Sequence, residues 1–203
     1  MTPQAESVLE LFRSTGAYLQ GHFRLTSGLH SAEYLQCALV LQHPAAAEKL
    51  GRLLAGELRR IVTEKIGVVV SPALGGLIIG HEVARAFGTP HIFTERDPET
   101  RKMLLRRGFT VGLNQSAGPG ESALVIEDVI TTGGSTQDVI DVLQASGARV
   151  LAAGSIIDRS GGRAQLSVPR VALATLQVAA HDPQECPMCA RGIPVVKPGS
   201  RPT

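Results

Sequence analysis

The sequence predicts an α/β fold organised around a parallel β-sheet, and three observations support this prediction. Short apolar runs alternate with helical patterns after residue 61, as in right-handed strand–helix–strand units. Aromatic residues make up 3% of the chain and Trp is absent, so Val, Ile, Leu and Ala must fill the core, as they do in parallel sheets covered by helices. The 203 residues are enough for one sizeable domain.

The N-terminal part predicts a helix, a hairpin and a second helix. Apolar residues recur at helical spacing over residues 7–18, which predicts an amphipathic helix. Residues 23–36 predict two short strands around a turn at Ser27 and Gly28. Residues 44–61 predict the clearest helix, because Pro44 suits a first turn and leucines recur along one face.

The alternating part follows this helix. It comprises a strand at 67–70, a loop at 71–76, a helix through residue 86, a strand after Pro90 that ends near residue 94, a strand at 122–127, a helix at 136–145 and a strand at 149–157. Two stretches break the alternation. Residues 95–107 carry Arg96, Arg101, Lys102, Arg106 and Arg107 among three acids, and residues 181–203 are rich in Pro and Gly and predict irregular chain.

Composition excludes several classes of protein. A net charge of +2 is too small for a nucleic-acid-binding surface. The sequence has no run of 18 apolar residues and no basic, then apolar N-terminal segment, so we expect neither a membrane span nor a signal peptide. The cysteines number three, and an odd count without an export signal favours the cytoplasm.

The strongest chemical signal is the run Leu-Val-Ile-Glu-Asp-Val-Ile-Thr-Thr-Gly-Gly-Ser at residues 124–135. Its apolar residues predict a buried strand that ends at two carboxylates, Glu127 and Asp128, and a hydroxyl-rich loop leads into the next helix. Ligands bind beyond the carboxyl ends of parallel strands. Helix N-terminal N–H groups with Thr and Ser hydroxyls bind phosphate, while carboxylates accept hydrogen bonds from a diol. The combination predicts a ribose 5-phosphate site. The alternative is an ordinary strand–helix turn with Ser135 as the N-cap.

This run resembles the PRPP-binding motif of type I phosphoribosyltransferases, and it lacks the Gly-Lys-Ser/Thr of a P-loop. Residues 21–31 are similar to the hood segment of orotate phosphoribosyltransferases, which closes over the base. Residues 157–162, Ile-Asp-Arg-Ser-Gly-Gly, are similar to that family's strand-end Asp-Arg, and residues 185–194 resemble one branch of it. Gly75 stands where many members have a lysine.

The resemblance implies a fold, a reaction and a set of site residues. The fold is a single domain over residues 1–203, with a parallel-sheet core at about 44–180 and a hood made of residues 1–40 and part of the C-terminal tail. The reaction transfers the ribose 5-phosphate of PRPP to orotate, with Mg²⁺ bound through PRPP and no direct protein ligand. We expect a cytoplasmic homodimer with shared active sites, in which the basic segment reaches the partner's site.

The resemblance also implies roles for individual residues. The PRPP-binding residues are Glu127, Asp128, Val129, Ile130, Thr131, Thr132, Gly133, Gly134 and Ser135. Orotate meets Thr131 and Arg159, and the catalytic residues are Lys102, Asp128, Arg96 and Arg106. Two other functions stay open: a phosphoribosyltransferase for another base, which would not need a carboxylate-binding arginine, and a PRPP-sensing regulator.

Three residues have competing interpretations that involve metal. His181, Cys186 and Cys189 could supply three zinc ligands, but a structural zinc site needs four. The alternative is a packed pair of reduced cysteines, with the remaining histidines serving ordinary structural roles.

Two other predictions have ordinary structural alternatives. Arg159 could be a simple ion-pair residue, and residues 95–107 could be a solvated charged loop.

Overall fold

The structure is a computed structural model that describes residues 2–25, 27–110 and 121–198. Its elements, in chain order, are α1 (Pro3–Ser14), β1 (Tyr18–Arg24), β2 (His30–Leu35), α2 (Cys37–Leu41), α3 (Pro44–Ile61), β3 (Val68–Pro72), α4 (Gly76–Phe87), β4 (His91–Arg96), β5 (Met103–Leu105), β6 (Ser122–Ile130), α5 (Gly134–Ala145), β7 (Arg149–Asp158), β8 (Arg170–Thr175), β9 (Ala180–His181) and α6 (Pro187–Ala190).

A six-stranded sheet in the order β5-β4-β3-β6-β7-β8 forms the core. Strands β4, β3, β6, β7 and β8 pair in parallel, and β5 adds an antiparallel edge to β4. The parallel sheet is confirmed. The edge strands β5 and β8 were not predicted, and each depends on a single neighbouring strand for its backbone hydrogen bonds.

Strand β6 shows why the central strands are apolar throughout. Leu124 and Ile126 pack with residues of α3 and α4 on one face of the sheet, whereas Ala123 and Val125 pack with α5 on the other. All four side chains are fully buried. A strand that is covered on both faces cannot alternate apolar with polar residues, and this explains the continuous apolar run in the sequence.

The first helix differs from its predicted bounds at both ends. It begins at Pro3, because the Thr2 hydroxyl accepts a hydrogen bond from the backbone N–H of Ala5 at 3.2 Å and Pro3 occupies the first turn. It ends at Ser14, where the chain turns through Gly16 with a φ of +66°. Residue 18, predicted as helix, therefore begins β1.

A second, three-stranded sheet in the order β1-β2-β9 joins the N-terminal hairpin to the C-terminal segment. His30 and Ser31 of β2 pair with His181 and Ala180 of β9, and Val196 bridges to Phe23 of β1. The sheet contains residues 21–24 and 30–31 of the segment predicted as a hood, and we call it the hood sheet, whereas α1, at the start of the predicted hood, packs its Val8, Leu9 and Phe12 into the main core. The C-terminal segment is more ordered than predicted, since it also forms α6. Of the helices in the described ranges, none combines the length and apolar character that a bilayer crossing requires.

Candidate active site

The predicted PRPP motif forms a strand, a loop and a helix at the carboxyl edge of the core sheet. Strand β6 continues to Ile130 rather than ending at Glu127, because β7 pairs alongside it as far as the Ile130 and Asp158 register. Gly133, with a φ of +89°, is the N-cap of α5 and has no side chain, while the Thr132 hydroxyl accepts a hydrogen bond from the backbone N–H of Gly134 at 3.4 Å. The interpretation of Ser135 as an ordinary N-cap is therefore wrong, and its hydroxyl is exposed beside the helix N-terminus.

A cavity of about 360 Å³ opens at this edge. It is lined by Pro72, Ala73, Gly75, Arg96, Met103 and residues 127–136, which include the whole predicted PRPP motif. Thr131, Thr132 and Ser135 are exposed toward solvent, whereas Ile130 is 1% exposed. Ile130 therefore belongs to the core, and only its backbone is available to a ligand.

The carboxyl groups of Glu127 and Asp128 lie close together in this cavity. Glu127 is 8% exposed, and burial together with the neighbouring Asp128 carboxylate raises the pKa of Glu127 well above its ordinary value. The backbone N–H of Val129 donates to Asp128 Oδ1 at 2.8 Å. Within residues 2–25, 27–110 and 121–198, neither acid forms an ion pair with a basic side chain. Such a pair suits hydroxyl donors or a cation.

Gly75 allows the loop after β3 to approach these acids. A Cβ atom on Gly75 would lie 2.7 Å from Oδ1 and 2.8 Å from Oδ2 of Asp128. Real Cβ atoms do not come this close to their neighbours, so a side chain here would displace either the loop or the carboxylate. The contact accounts for glycine at a position where many family members have a lysine.

A second cavity, of about 710 Å³, lies next to the first. Val129, Thr131 and Thr132 line both cavities, so a ligand in one can contact a ligand in the other. The other lining residues come from the hood and from the end of β7: Leu25, Ser27, Leu29, Tyr34, Leu35, Arg159, Ser160, Arg163, Ala164, Val178 and Ala180. Tyr34 and Arg163 were not predicted as site residues, since no local pattern marks them and only the fold brings them to this wall.

Arg159 is an uncompensated cation in the wall of the second cavity. Its Nε atom is buried and has no hydrogen-bond partner, and burial lowers the pKa of its guanidinium. In the described part of the chain it forms no ion pair. Its neighbour Asp158 is fully buried and pairs instead with Arg170 at 2.7 Å. The interpretation of Arg159 as a simple ion-pair residue is therefore wrong, and a bound anion would satisfy it.

The basic segment forms a β4–β5 hairpin rather than an irregular loop, and its side chains divide between two places. Arg96 lines the smaller cavity and donates to Asp138 Oδ2 at 2.7 Å and to Ser135 Oγ at 3.2 Å. Arg106 instead pairs with Glu95 at 2.9 Å. Lys102 is exposed, and neither it nor Arg106 lines a cavity. Of the three basic residues that were predicted to be catalytic, only Arg96 lines one of these two cavities.

The fold and this strand–loop–helix site define a phosphoribosyltransferase, and the chain matches the phosphoribosyl transferase domain family over residues 38–184. Two relatives are more specific. The orotate phosphoribosyltransferases of Desulforamulus reducens and Pelotomaculum thermopropionicum are 49% and 50% identical to the chain over 196 residues, which cover 97% of this chain and 97% of each relative. The chain belongs to the orotate phosphoribosyltransferase family.

Solved structures share the fold. The orotate phosphoribosyltransferase of Aeropyrum pernix is 25% identical, with a TM-score of 0.66 over 84% of this chain and 94% of that one. An adenine phosphoribosyltransferase of Trypanosoma brucei is 15% identical, with a TM-score of 0.59 over 86% and 80%. Because enzymes for different bases share this fold, the choice of base depends on the residues that line the pocket.

Proposed function

We propose that this chain transfers the ribose 5-phosphate of PRPP to orotate, which yields orotidine 5'-monophosphate and pyrophosphate, and that the two adjoining cavities bind the two substrates. The observation that carries the choice of base is Arg159. Its half-buried guanidinium has no carboxylate partner in the described chain. Orotate would bring that carboxylate, and a guanidinium holds a carboxylate in bidentate geometry.

The smaller cavity is the proposed PRPP site. The N-cap of α5 is a glycine, so the backbone N–H groups of the first turn and the hydroxyls of Thr131, Thr132 and Ser135 are suited to the 5-phosphate. The carboxylates of Glu127 and Asp128 would accept hydrogen bonds from the ribose hydroxyls. Those donors favour the ionised carboxylate and so would lower the raised pKa of Glu127.

The shared wall explains how the substrates would react. The bond between ribose C1 and the pyrophosphate oxygen breaks, and its electron pair leaves with pyrophosphate. A ring nitrogen of orotate then forms the new bond to C1. The charge of orotate lies on its carboxylate, so the attacking ring nitrogen must release its proton as the bond to C1 forms, and the departing pyrophosphate can accept that proton. Thr131 lines both cavities and would lie beside the reacting atoms, while Arg96 would balance the charge that develops on pyrophosphate.

We also propose that the reaction requires Mg²⁺. The smaller cavity fits this ion, because its lining is rich in oxygen and its two carboxylates form no ion pair within the described ranges. PRPP oxygens would hold the ion beside Glu127 and Asp128. When bound, Mg²⁺ neutralises charge on the leaving pyrophosphate.

Two features of the assembly and the location complete the proposal. Lys102 is exposed and lines neither cavity, so its side chain is free to reach the partner's site in the homodimer that we propose. The three cysteines are unpaired, as is usual in a reducing compartment, and this supports a cytoplasmic location.

A turnover assay with a panel of bases tests the proposal. With PRPP and Mg²⁺ present, we expect consumption of orotate and no consumption of adenine, hypoxanthine or xanthine. A chelator should abolish turnover, and added Mg²⁺ should restore it. Use of a purine with orotate ignored would overturn the choice of base while leaving the PRPP site intact, and PRPP binding without turnover of any base would favour a sensor.

A further inference from the structure

Four potential metal ligands converge in the hood, away from the two substrate cavities. His22 lies on β1, His30 begins β2, Cys186 precedes α6 and Cys189 lies within it. Their ligand atoms all lie within 4.8 Å of one another. His22, His30 and Cys186 are 3%, 6% and 2% exposed, whereas Cys189 is exposed and leaves a route to solvent. Two thiols and two imidazoles are the ligand set of a structural zinc site.

The distances match the edges of a zinc tetrahedron. Bond lengths of about 2.3 Å to sulfur and 2.05 Å to nitrogen give sulfur–nitrogen edges of about 3.5 Å and a nitrogen–nitrogen edge of about 3.3 Å. From His22 Nε2, the sulfur atoms of Cys186 and Cys189 lie at 3.5 and 3.7 Å, and from His30 Nδ1 the Cys189 sulfur lies at 3.3 Å. His22 Nε2 and His30 Nδ1 lie 2.8 Å apart, so this edge would open by about 0.5 Å to accept the ion.

The surroundings orient His22 for a cation. His22 Nδ1 lies 2.7 Å from the carbonyl oxygen of Ile193, and only a protonated Nδ1 can bond to a carbonyl. Nε2 of a neutral His22 therefore carries its lone pair into the cluster, as in histidines whose second nitrogen is oriented by a carbonyl.

We propose that His22, His30, Cys186 and Cys189 bind one zinc ion, which ties the C-terminal segment to the N-terminal hairpin of the hood. Four protein ligands leave no open coordination position, so the ion is structural rather than catalytic. The set corrects two expectations from the sequence. His181, which the sequence offered only as a candidate ligand, pairs with His30 through the β-ladder but is not a member of the cluster. His22 and His30, predicted to be ordinary, supply the missing ligands.

The site bears on the pocket through the hood. His30 follows Leu29, which lines the larger cavity, and pairs across β2 and β9 beside Ala180, which lines it too. The C-terminal segment is otherwise held to β1 by few backbone contacts, among them Arg24 N–H to Val196 O at 2.9 Å and Val196 N–H to His22 O at 2.8 Å. Loss of the ion should therefore loosen the wall that faces orotate more than the PRPP loop.

The primary test measures metal in the full-length protein, purified under reducing conditions without chelator and after removal of any histidine tag. Mass spectrometry of the elements should find one zinc ion per chain. Replacement of the ion by Co²⁺ should produce the visible ligand-field and thiolate charge-transfer bands of a tetrahedral site. Neither readout depends on enzyme activity. A wild-type chain that contains no zinc, and takes up neither Zn²⁺ nor Co²⁺, would overturn the proposal.

Matched variants locate the site. Cys189→Ser, at the exposed ligand, should lose stoichiometric zinc and the cobalt spectrum, lower the Tm by several degrees and raise the KM for orotate more than the KM for PRPP. His181→Gln, beside the cluster but outside it, should keep one zinc ion per chain. Zinc retained at full occupancy in Cys189→Ser, or lost equally from His181→Gln, would overturn this ligand set. If Cys189→Ser fails to fold, the cobalt spectrum of the wild-type chain still decides whether thiolates coordinate the ion.

Discussion

At the scale of single residues, the pair Asp158 and Arg159 shows how neighbours in sequence take opposite roles. Successive side chains at the end of β7 point to opposite faces of the strand. Asp158 is fully buried, accepts hydrogen bonds from Ser160 and pairs with Arg170, so its charge is neutralised within the protein. Arg159 faces the larger cavity without an ion-pair partner in the described ranges. The end of the strand therefore supplies both a structural ion pair and a guanidinium that is available to an anionic ligand.

Arg159→Ala should raise the KM for orotate about ten- to a hundredfold, because a charge-assisted hydrogen bond contributes about 1.5–3 kcal/mol. The KM for PRPP should change far less. Steady-state kinetics with each substrate varied in turn measures both effects. Arg163→Ala is the matched control, since Arg163 lines the same cavity but is exposed, and its effect should be smaller. Equal increases in both KM values for Arg159→Ala would indicate a structural role instead.

At the scale of elements, the helices on one face of the sheet approach each other closely at glycine. A Cβ atom on Gly51 of α3 would lie 2.5 Å from Cβ and 2.9 Å from the backbone carbon of Glu82 in α4. Gly56, on the same helix, has no atom within 4 Å of the corresponding position. The first glycine is therefore required by packing, and the second only weakens the helix.

Alanine at these two positions should have opposite effects on stability. Gly56→Ala should increase the free energy of unfolding by about 0.5–1 kcal/mol, because alanine has the higher helix propensity. Gly51→Ala should decrease it by about 1–3 kcal/mol, because the extra methyl group forces α3 and α4 apart. Urea unfolding of both variants and the wild type measures the difference. A destabilised Gly56→Ala would show that the exposed face of α3 is covered in the native protein.

A histidine links two strands of the same sheet and makes stability depend on pH. Nε2 of His91, on β4, lies 2.7 Å from the Ser71 hydroxyl on β3. Burial, assisted by the nearby His81, lowers the pKa of His91 from 6.5 to about 4. The unfolded chain therefore binds a proton near pH 6.5, whereas the folded chain binds it only near pH 4. Since the unfolded state binds more protons in this window, stability should fall as the pH drops through it.

His91→Gln should remove this part of the pH dependence. After allowance for solvent screening, the wild type should lose on the order of 1–2 kcal/mol from this group between about pH 7 and about pH 4.5. Urea unfolding across that range isolates the effect as the difference between wild type and variant, because other titrating groups contribute equally to both. Parallel pH curves for the two proteins would contradict the assignment.

At the scale of the whole molecule, the smaller and the larger cavity share one wall, and residues of the hood line the larger cavity. Arg96 lines the smaller cavity, whereas Lys102, in the turn of the β4–β5 hairpin, is exposed and does not line it. Pyrophosphate gains charge only as the C1 bond breaks. A cation that reaches it from a neighbouring chain should therefore stabilise the transition state more than bound PRPP.

Lys102→Ala should lower turnover about tenfold or more while leaving the affinity for PRPP nearly unchanged. Asp128→Asn should weaken PRPP binding, since an amide is a poorer acceptor for ribose hydroxyls. Mixing the two variants should restore up to about a quarter of wild-type activity, because in a symmetric dimer each hybrid would contain one intact site. No recovery after verified subunit exchange would exclude sites shared in this way.

The sequence alone determined the features that depend on neighbours along the chain. Apolar periodicity placed α3 and the central strands, and the run from Leu124 to Ser135 marked the edge of the sheet where a ligand should bind. Residues 1–40 were expected in the hood from the resemblance alone. The predictions of α3 and of the central strands succeed because helix and strand periods are local properties, whereas the ligand site and the hood stay predictions.

Only the tertiary structure decided which distant residues meet. The edge strands β5 and β8 form because a neighbouring strand completes their hydrogen bonds. The fold also pairs Arg170 with Asp158, and it leaves Arg159 in the wall of the larger cavity without an ion-pair partner in the described ranges. The four groups of the proposed zinc site come from three segments, and His22 lies 164 residues from Cys186. No pattern along the chain encodes such a distance, because contacts between distant residues are set by the packing of whole elements and not by the spacing within one.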